Sequence, residues 1–249
     1  MSHPFRGTPS LPFDITSNPQ PPRPTPNISL ALASLPEPRK AYKYYYASAS
    51  AASEMDLPKE DLHTFLRGYF HLKSADWSGN DPQPLKGWQA TELAKMPYYY
   101  IMPLAASMRE AVAVQLSISS SSATEITKQG ARWLNDAELN IYVQDYARNG
   151  FQGPLNWYRA ATDPTILRDV EAFAGRNIDV PALFVAGRKD WGTYQEPGVI
   201  ERMDKVCTQL RGVELLEGAG HWVQQEQPEK VVELVAKFLR DIKKDAVLL

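Results

Sequence analysis

IDVPALFVAGRKDWG, residues 178–192, decides the fold class. The first ten residues form a short apolar run that ends in glycine, which suits a strand buried on both faces of a parallel sheet. Helix-compatible sequence follows from Pro197 to Leu210, and VELLEGAG (213–220) predicts a second strand. A last helix is expected from Pro228, because proline fits the first helical turn. Its apolar positions are Val231, Leu234, Val235, Phe238, Leu239 and Ile242, a helical repeat that predicts a core-facing side. Strand, helix, strand and helix joined by short connections make a right-handed βαβ unit, so the class is α/β with a parallel sheet.

Upstream the character changes. Residues 41–174 are rich in aromatics and helix formers. One helix there is well marked: Asn135 or Asp136 caps it, Leu139, Tyr142, Val143 and Tyr146 form its stripe, and Arg148 and Gly150 end it. SISSSS (117–122) is expected to be a surface loop. Residues 1–40 are dense in proline, and PQPPRPTP (19–26) cannot form a helix or a central strand. Three zones are therefore expected: an irregular connector over 1–40, a mainly helical part over 41–174 and the sheet-bearing part over 175–249.

Composition narrows the function classes. The chain has 249 residues, 43% hydrophobic and 22% charged, as expected for a globular protein. A formal net charge of -2 gives no reason to expect a nucleic-acid or acidic-membrane partner. Cys207 is the single cysteine, which excludes an intramolecular disulfide and fits a reducing, cytoplasmic setting. The first residues show neither a signal-peptide pattern nor any apolar run near the roughly 20 residues needed to span a bilayer.

In open α/β sheets, ligands sit beyond the carboxyl ends of the strands. AGRKDWG (186–192) follows the first strand and GAGHW (218–222) the second, so Asp190 and His221 are expected on neighbouring loops. Alone, the one reads as a turn aspartate and the other as a loop histidine. Together they match an acid–base pair: the carboxylate fixes one imidazole nitrogen as donor, and the other nitrogen takes a proton from water. His63 and His71 are eight residues apart with no third ligand, so they are taken as structural and no metal site is expected.

GRKDWGTYQ (187–195), GAGHWVQQEQPE (218–229) and above all GFQGPLNWYRA (150–160) resemble the epoxide hydrolases of the α/β-hydrolase fold. KAYKYYYASASAASEMD (40–56) resembles the start of their lid domain. The resemblance implies a partial α/β-hydrolase core with a helical lid, and no cofactor. It also implies a mechanism. An aspartate attacks the epoxide carbon and forms an ester, two lid tyrosines hydrogen-bond the oxygen as it becomes an alkoxide, and the His–Asp pair activates water to cleave the ester. Carried over, Asp190 and His221 are that pair, Tyr158 is one lid tyrosine and Tyr42 the other, although Tyr44, Tyr45 and Tyr46 crowd the second match. Trp157, Trp191 and Trp222 are expected to wall the substrate pocket. Tyr, Trp and Met in the lid imply a small apolar epoxide-type substrate.

One part of the pattern is absent from the sequence. No glycine-flanked nucleophile elbow and no HG-x-P oxyanion loop occur in these 249 residues. MSHPFRGTPSLPFD resembles the stretch that follows the elbow in the family, so the chain is expected to be a truncated or inactive form with an exposed sheet edge prone to self-association. Two alternatives stand beside this. The chain is a non-catalytic remnant that binds an apolar ligand or a protein partner, or it is another hydrolase of the fold, a dehalogenase or esterase. Tyr158 in NWYR argues against the last, since dehalogenases hold halide with N–H donors such as Trp.

Overall fold

The computed structural model describes Pro4, residues 27–119 and residues 122–247. The proline-rich stretch 19–26 lies outside the described residues. Within the expected irregular zone the structure places a helix, α1 (Ile28–Ala33). Residues 27–35 contain no proline, and Asn27 caps the helix by accepting from the Leu30 amide at 3.3 Å.

Strand β1 (Arg39–Ala41) runs straight into α2 (Tyr42–Ala47), followed by α3 (Ala51–Asp56), α4 (Leu62–Lys73) and α5 (Ala90–Leu93). Strand β2 (Ile101–Pro103) pairs antiparallel with β1, Lys40 opposite Met102. Helices α6 (Met108–Ile118), α7 (Ala123–Gly130), α8 (Asp136–Asn149), α9 (Gln152–Thr162) and α10 (Pro164–Val170) complete this part. The expected loop at 117–122 is shorter than its composition suggested. Helix α6 continues through Ile118, with the Ser117 hydroxyl donating back to the Val114 carbonyl at 2.8 Å. Ser120 and Ser121 lie outside the described residues.

Helix α8 has the expected ends. Asn135 and Glu138 form a reciprocal capping box, and Gly150 closes the helix at φ 66°. Leu139 is fully buried and Tyr146 stacks on Phe151 with ring centroids 4.3 Å apart, whereas Tyr142 is turned to the surface. The centre of this part is α4, which buries Leu62, Phe65, Leu66, Phe70 and Leu72. Gly68 lets α6 pack close: a Cβ there would stand 2.7 Å from a Leu116 methyl.

Strand β3 (Ala182–Gly187) pairs parallel with β4 (Leu210–Leu216), Phe184 beside Val213 and Ala186 beside Leu215. The parallel βαβ order is as expected, but the linking helix is not. Only α11 (Met203–Val206) is α-helical between the strands. Pro197 and Gly198, at φ 69°, delay it. At its other end the chain is drawn into extended pairing, because the Ile178 amide donates to the Val206 carbonyl and the Thr208 amide to the Ile178 carbonyl, each at 2.9 Å. The second strand therefore starts earlier and ends at Leu216, and residues 217–222 form a loop that carries His221. After α12 (Val223–Glu226) comes α13 (Pro228–Val247). Its stripe is only half covered: Val231, Leu234, Phe238 and Ile242 are partly buried, but Val235 and Leu239 are exposed.

Candidate active site

Beyond Gly187 the chain turns at once, with the Asp190 amide donating to the Gly187 carbonyl at 3.1 Å. Asp190 is almost fully buried, and its Oδ1 accepts the Gly192 amide at 2.7 Å, which caps a short 3-10 turn over Trp191–Thr193. From the other loop, His221 Nδ1 reaches the same carboxylate, 3.2 Å from Oδ2 and 3.3 Å from Oδ1. The structure thus brings together the two residues that the strand ends predicted. A carboxylate on Nδ1 favours the tautomer with the proton there, in which Nε2 is the acceptor nitrogen. Burial lowers the His221 pKa, the charge of Lys73 lowers it further, and Asp190 pushes back. The imidazole is therefore held neutral, the form that accepts a proton.

Two residues at this pair were not foreseen. The Tyr100 hydroxyl lies 3.4 Å from Asp190 Oδ1 and 3.5 Å from His221 Nδ1. Its signal in sequence is the tyrosine triplet 98–100 ahead of β2, where adjacent rings point different ways and none is singled out. Lys73, in the last turn of α4, is buried too. Its ammonium stands 4.6 Å from the Tyr100 ring centre, 5.0 Å from Tyr69, 5.4 Å from Tyr99 and 5.9 Å from Tyr42. Aromatic faces attract a cation at such distances. Burial nonetheless lowers the Lys73 pKa, with Tyr158 and Asp190 opposing.

Tyr42, the first residue of α2, and Tyr158, on α9, meet with ring centroids 5.7 Å apart and planes at 74°. Both phenols are pushed up by burial, and each acts on the other. The crowd of tyrosines on α2 sorts itself by helical geometry. Tyr46, four residues on, shares the Tyr42 face and packs 4.8 Å from Tyr158. Tyr44 points out to solvent, and Tyr45 lies under Lys40. Tyr42 is linked to the acid–base pair through Tyr100, its ring 5.1 Å from that ring.

The tryptophans divide. Trp191 is buried in the aromatic core. Trp222 stands edge-on to His221, ring centroids 4.8 Å apart, and donates its indole N–H to the Phe70 carbonyl at 2.9 Å. Trp157 does not join them. It is 63% exposed, because one residue along α9 from Tyr158 turns it to another face. His63 lies 3.7 Å from Asp136, and His71 is buried with its pKa lowered by desolvation; neither reaches the pair. Among the described residues, no group of His, Cys, Asp or Glu side chains is arranged to hold a metal ion. A void of about 50 Å³ borders Tyr42, Tyr100 and Gln195, and the Tyr42 hydroxyl is 3.5 Å from Gln195 Oε1. A larger open cleft of about 740 Å³ lies elsewhere, between Lys40, Tyr45 and Arg109.

The fold is a partial α/β-hydrolase fold with a mainly helical accompanying part. Solved structures that share it include epoxide hydrolases. One from an endophytic Streptomyces superposes with a TM-score of 0.61 at 24% identity, over 87% of this chain and 56% of that one. Epoxide hydrolase A from Mycobacterium thermoresistibile gives 0.57 at 26% identity, over 94% and 60%. Sequence relatives carry the same name. Epoxide hydrolase B of Mycobacterium tuberculosis is 36% identical over 107 residues, 43% of this chain and 30% of that protein. Bifunctional epoxide hydrolase 2 of Mus musculus is 35% identical over 105 residues, 42% and 18%. No family model matches the chain. It therefore resembles the epoxide hydrolases of the α/β-hydrolase fold, and spans well under half the length of these curated relatives. No helix among the described residues is long and apolar enough to cross a membrane.

Proposed function

We propose that this chain carries the water-activating pair and the oxyanion-stabilising tyrosines of an epoxide hydrolase. The observation that carries this reading is the Asp190–His221 hydrogen bond lying one ring, Tyr100, from the Tyr42–Tyr158 pair. On this reading residues 41–174 are the lid, 175–249 belong to the core and 1–40 lead from core to lid. Tyr42 and Tyr158 donate to the epoxide oxygen. Protonated phenols suit that task; a phenol is protonated at neutral pH, and burial pushes both further up. An alkoxide is a poor leaving group, so two donors placed where its charge develops lower the barrier to ring opening. His221 Nε2 then takes a proton from water, and the hydroxide cleaves the ester to a vicinal diol. Asp190 stabilises the imidazolium that forms. Trp191 and Trp222 line the approach, and the substrate is a small apolar epoxide.

The ester needs a carboxylate nucleophile, and the elbow that would present one does not occur in these 249 residues. This chain alone is accordingly expected to form no diol from styrene oxide. Supplied with the nucleophile-bearing N-terminal half of a related epoxide hydrolase, it is expected to form diol. His221→Ala should lower that rate by about a thousandfold or more. Diol formation by the chain alone, unchanged in His221→Ala, would overturn the reading.

A further inference from the structure

The loop that carries His221 lies directly on the end of α4. A Cβ on Gly220 would stand 2.5 Å from the Lys73 carbonyl oxygen and 2.8 Å from the Ala75 nitrogen. The His221 amide donates to that same Lys73 carbonyl at 2.8 Å. Three further backbone N–H groups at this junction donate to one side chain. Glu226, the last residue of α12, accepts the Gly220 amide at 3.0 Å and the Trp222 amide at 3.1 Å on Oε1. Its Oε2 accepts the Ala75 amide, just beyond α4, at 2.7 Å. The carboxylate thus holds the residues on either side of His221 and the helix end they rest on.

The geometry points to Glu226 as a positioning residue that fixes His221 relative to α4, and with it to Tyr69 and Lys73 on that helix. This rests on the base role proposed for His221. A half-buried acceptor bound to several backbone donors is costly to remove, because the donors stay behind unpaired. An amide cannot replace it: Gln at 226 offers one acceptor oxygen and turns an NH₂ group towards the remaining donor. Burial, aided by nearby Asp76, holds the Glu226 carboxyl up at about 7 against the pull of the three N–H donors.

Glu226→Gln is therefore expected to speed hydrogen exchange of the Ala75, Gly220 or Trp222 amides by on the order of tenfold. Amides of α8 should be unchanged. The His221 ring ¹⁵N signals should also lose part of their Nδ1–H character, a change that loosening of α12 alone would not cause. Unaltered exchange at all three amides, or an unaltered His221 ring, overturns the assignment. If the variant does not fold, the unsubstituted chain decides. The Glu226 carboxyl ¹³C signal should titrate near neutral pH, and the three amide proton signals should move with the same midpoint. Amides that ignore that titration overturn the proposal. No turnover is measured, so failure here and failure of the epoxide chemistry are separate results.

Discussion

In the helical part, Leu62, Leu72, Met102, Met108 and Leu139 have no exposed surface at all. Around β3 and β4, the buried apolar cluster is Phe184, Ala186, Met203 and Cys207, and α13 leaves Val232, Val235 and Leu239 in solvent. One part holds a large buried core and the other only a small one, although both leave some apolar side chains in solvent. The candidate site sits at their seam. Asp190 and His221 come from the thinly covered part, yet Trp191 beside the acid is buried in the core of the helical part, and Trp222 packs against it. The helical part thus supplies the walls that make the strand-end loops a defined site.

The contrast breaks most clearly on paired truncations. Leu139→Ala should cost about 2–5 kcal/mol, the usual loss for a buried leucine. Leu239→Ala, at a position 59% exposed, should change stability by less than about 0.5 kcal/mol. Urea unfolding of both variants checks this, and equal losses would mean that α13 is covered after all. At the seam, Gly220→Ala drives a methyl into the Lys73 carbonyl and should cost about 1–3 kcal/mol, as overpacking does. The same variant should displace the His221 ring signals.

The smallest effect concerns charge. His221 has a lowered folded pKa, so its neutral form contributes stability that is present above the unfolded value of 6.5 and is lost as pH falls below it towards the folded pKa. Lys73→Met removes one of the forces that lower this pKa. The His221 midpoint, followed by its ring proton signals, should therefore rise, and the acid loss of stability should shrink. A midpoint that stays put or falls would show that Lys73 does not act on the imidazole.

Much of this was legible in the residues. The apolar run 178–187 and the Asp190 and His221 loops could be placed because a strand end is a local signal and the ligand side of a parallel sheet is fixed by topology. The α8 ends were legible because capping is chemistry within four residues. The long helix expected over 197–210 failed because its last residues pair with Ile178, a contact that no window around them contains. Tyr100 and Lys73 were missed for a similar reason. A tyrosine in a triplet or a lysine on a helix reads as ordinary until folding buries it beside a carboxylate and an imidazole.

The sequence by itself determined the class: a parallel βαβ unit with Asp190 and His221 after its strands, and NWYR and the α2 tyrosines to go with them. Only the tertiary structure decided that two of the four α2 tyrosines, Tyr42 and Tyr46, pack on Tyr158, that Trp157 faces solvent, and that Tyr100, Lys73 and Glu226 complete the surroundings of His221. Strand-end and capping signals act over a few residues. Burial and hydrogen bonding between α4 and the His221 loop join positions about 150 residues apart, and those exist only once the chain has folded.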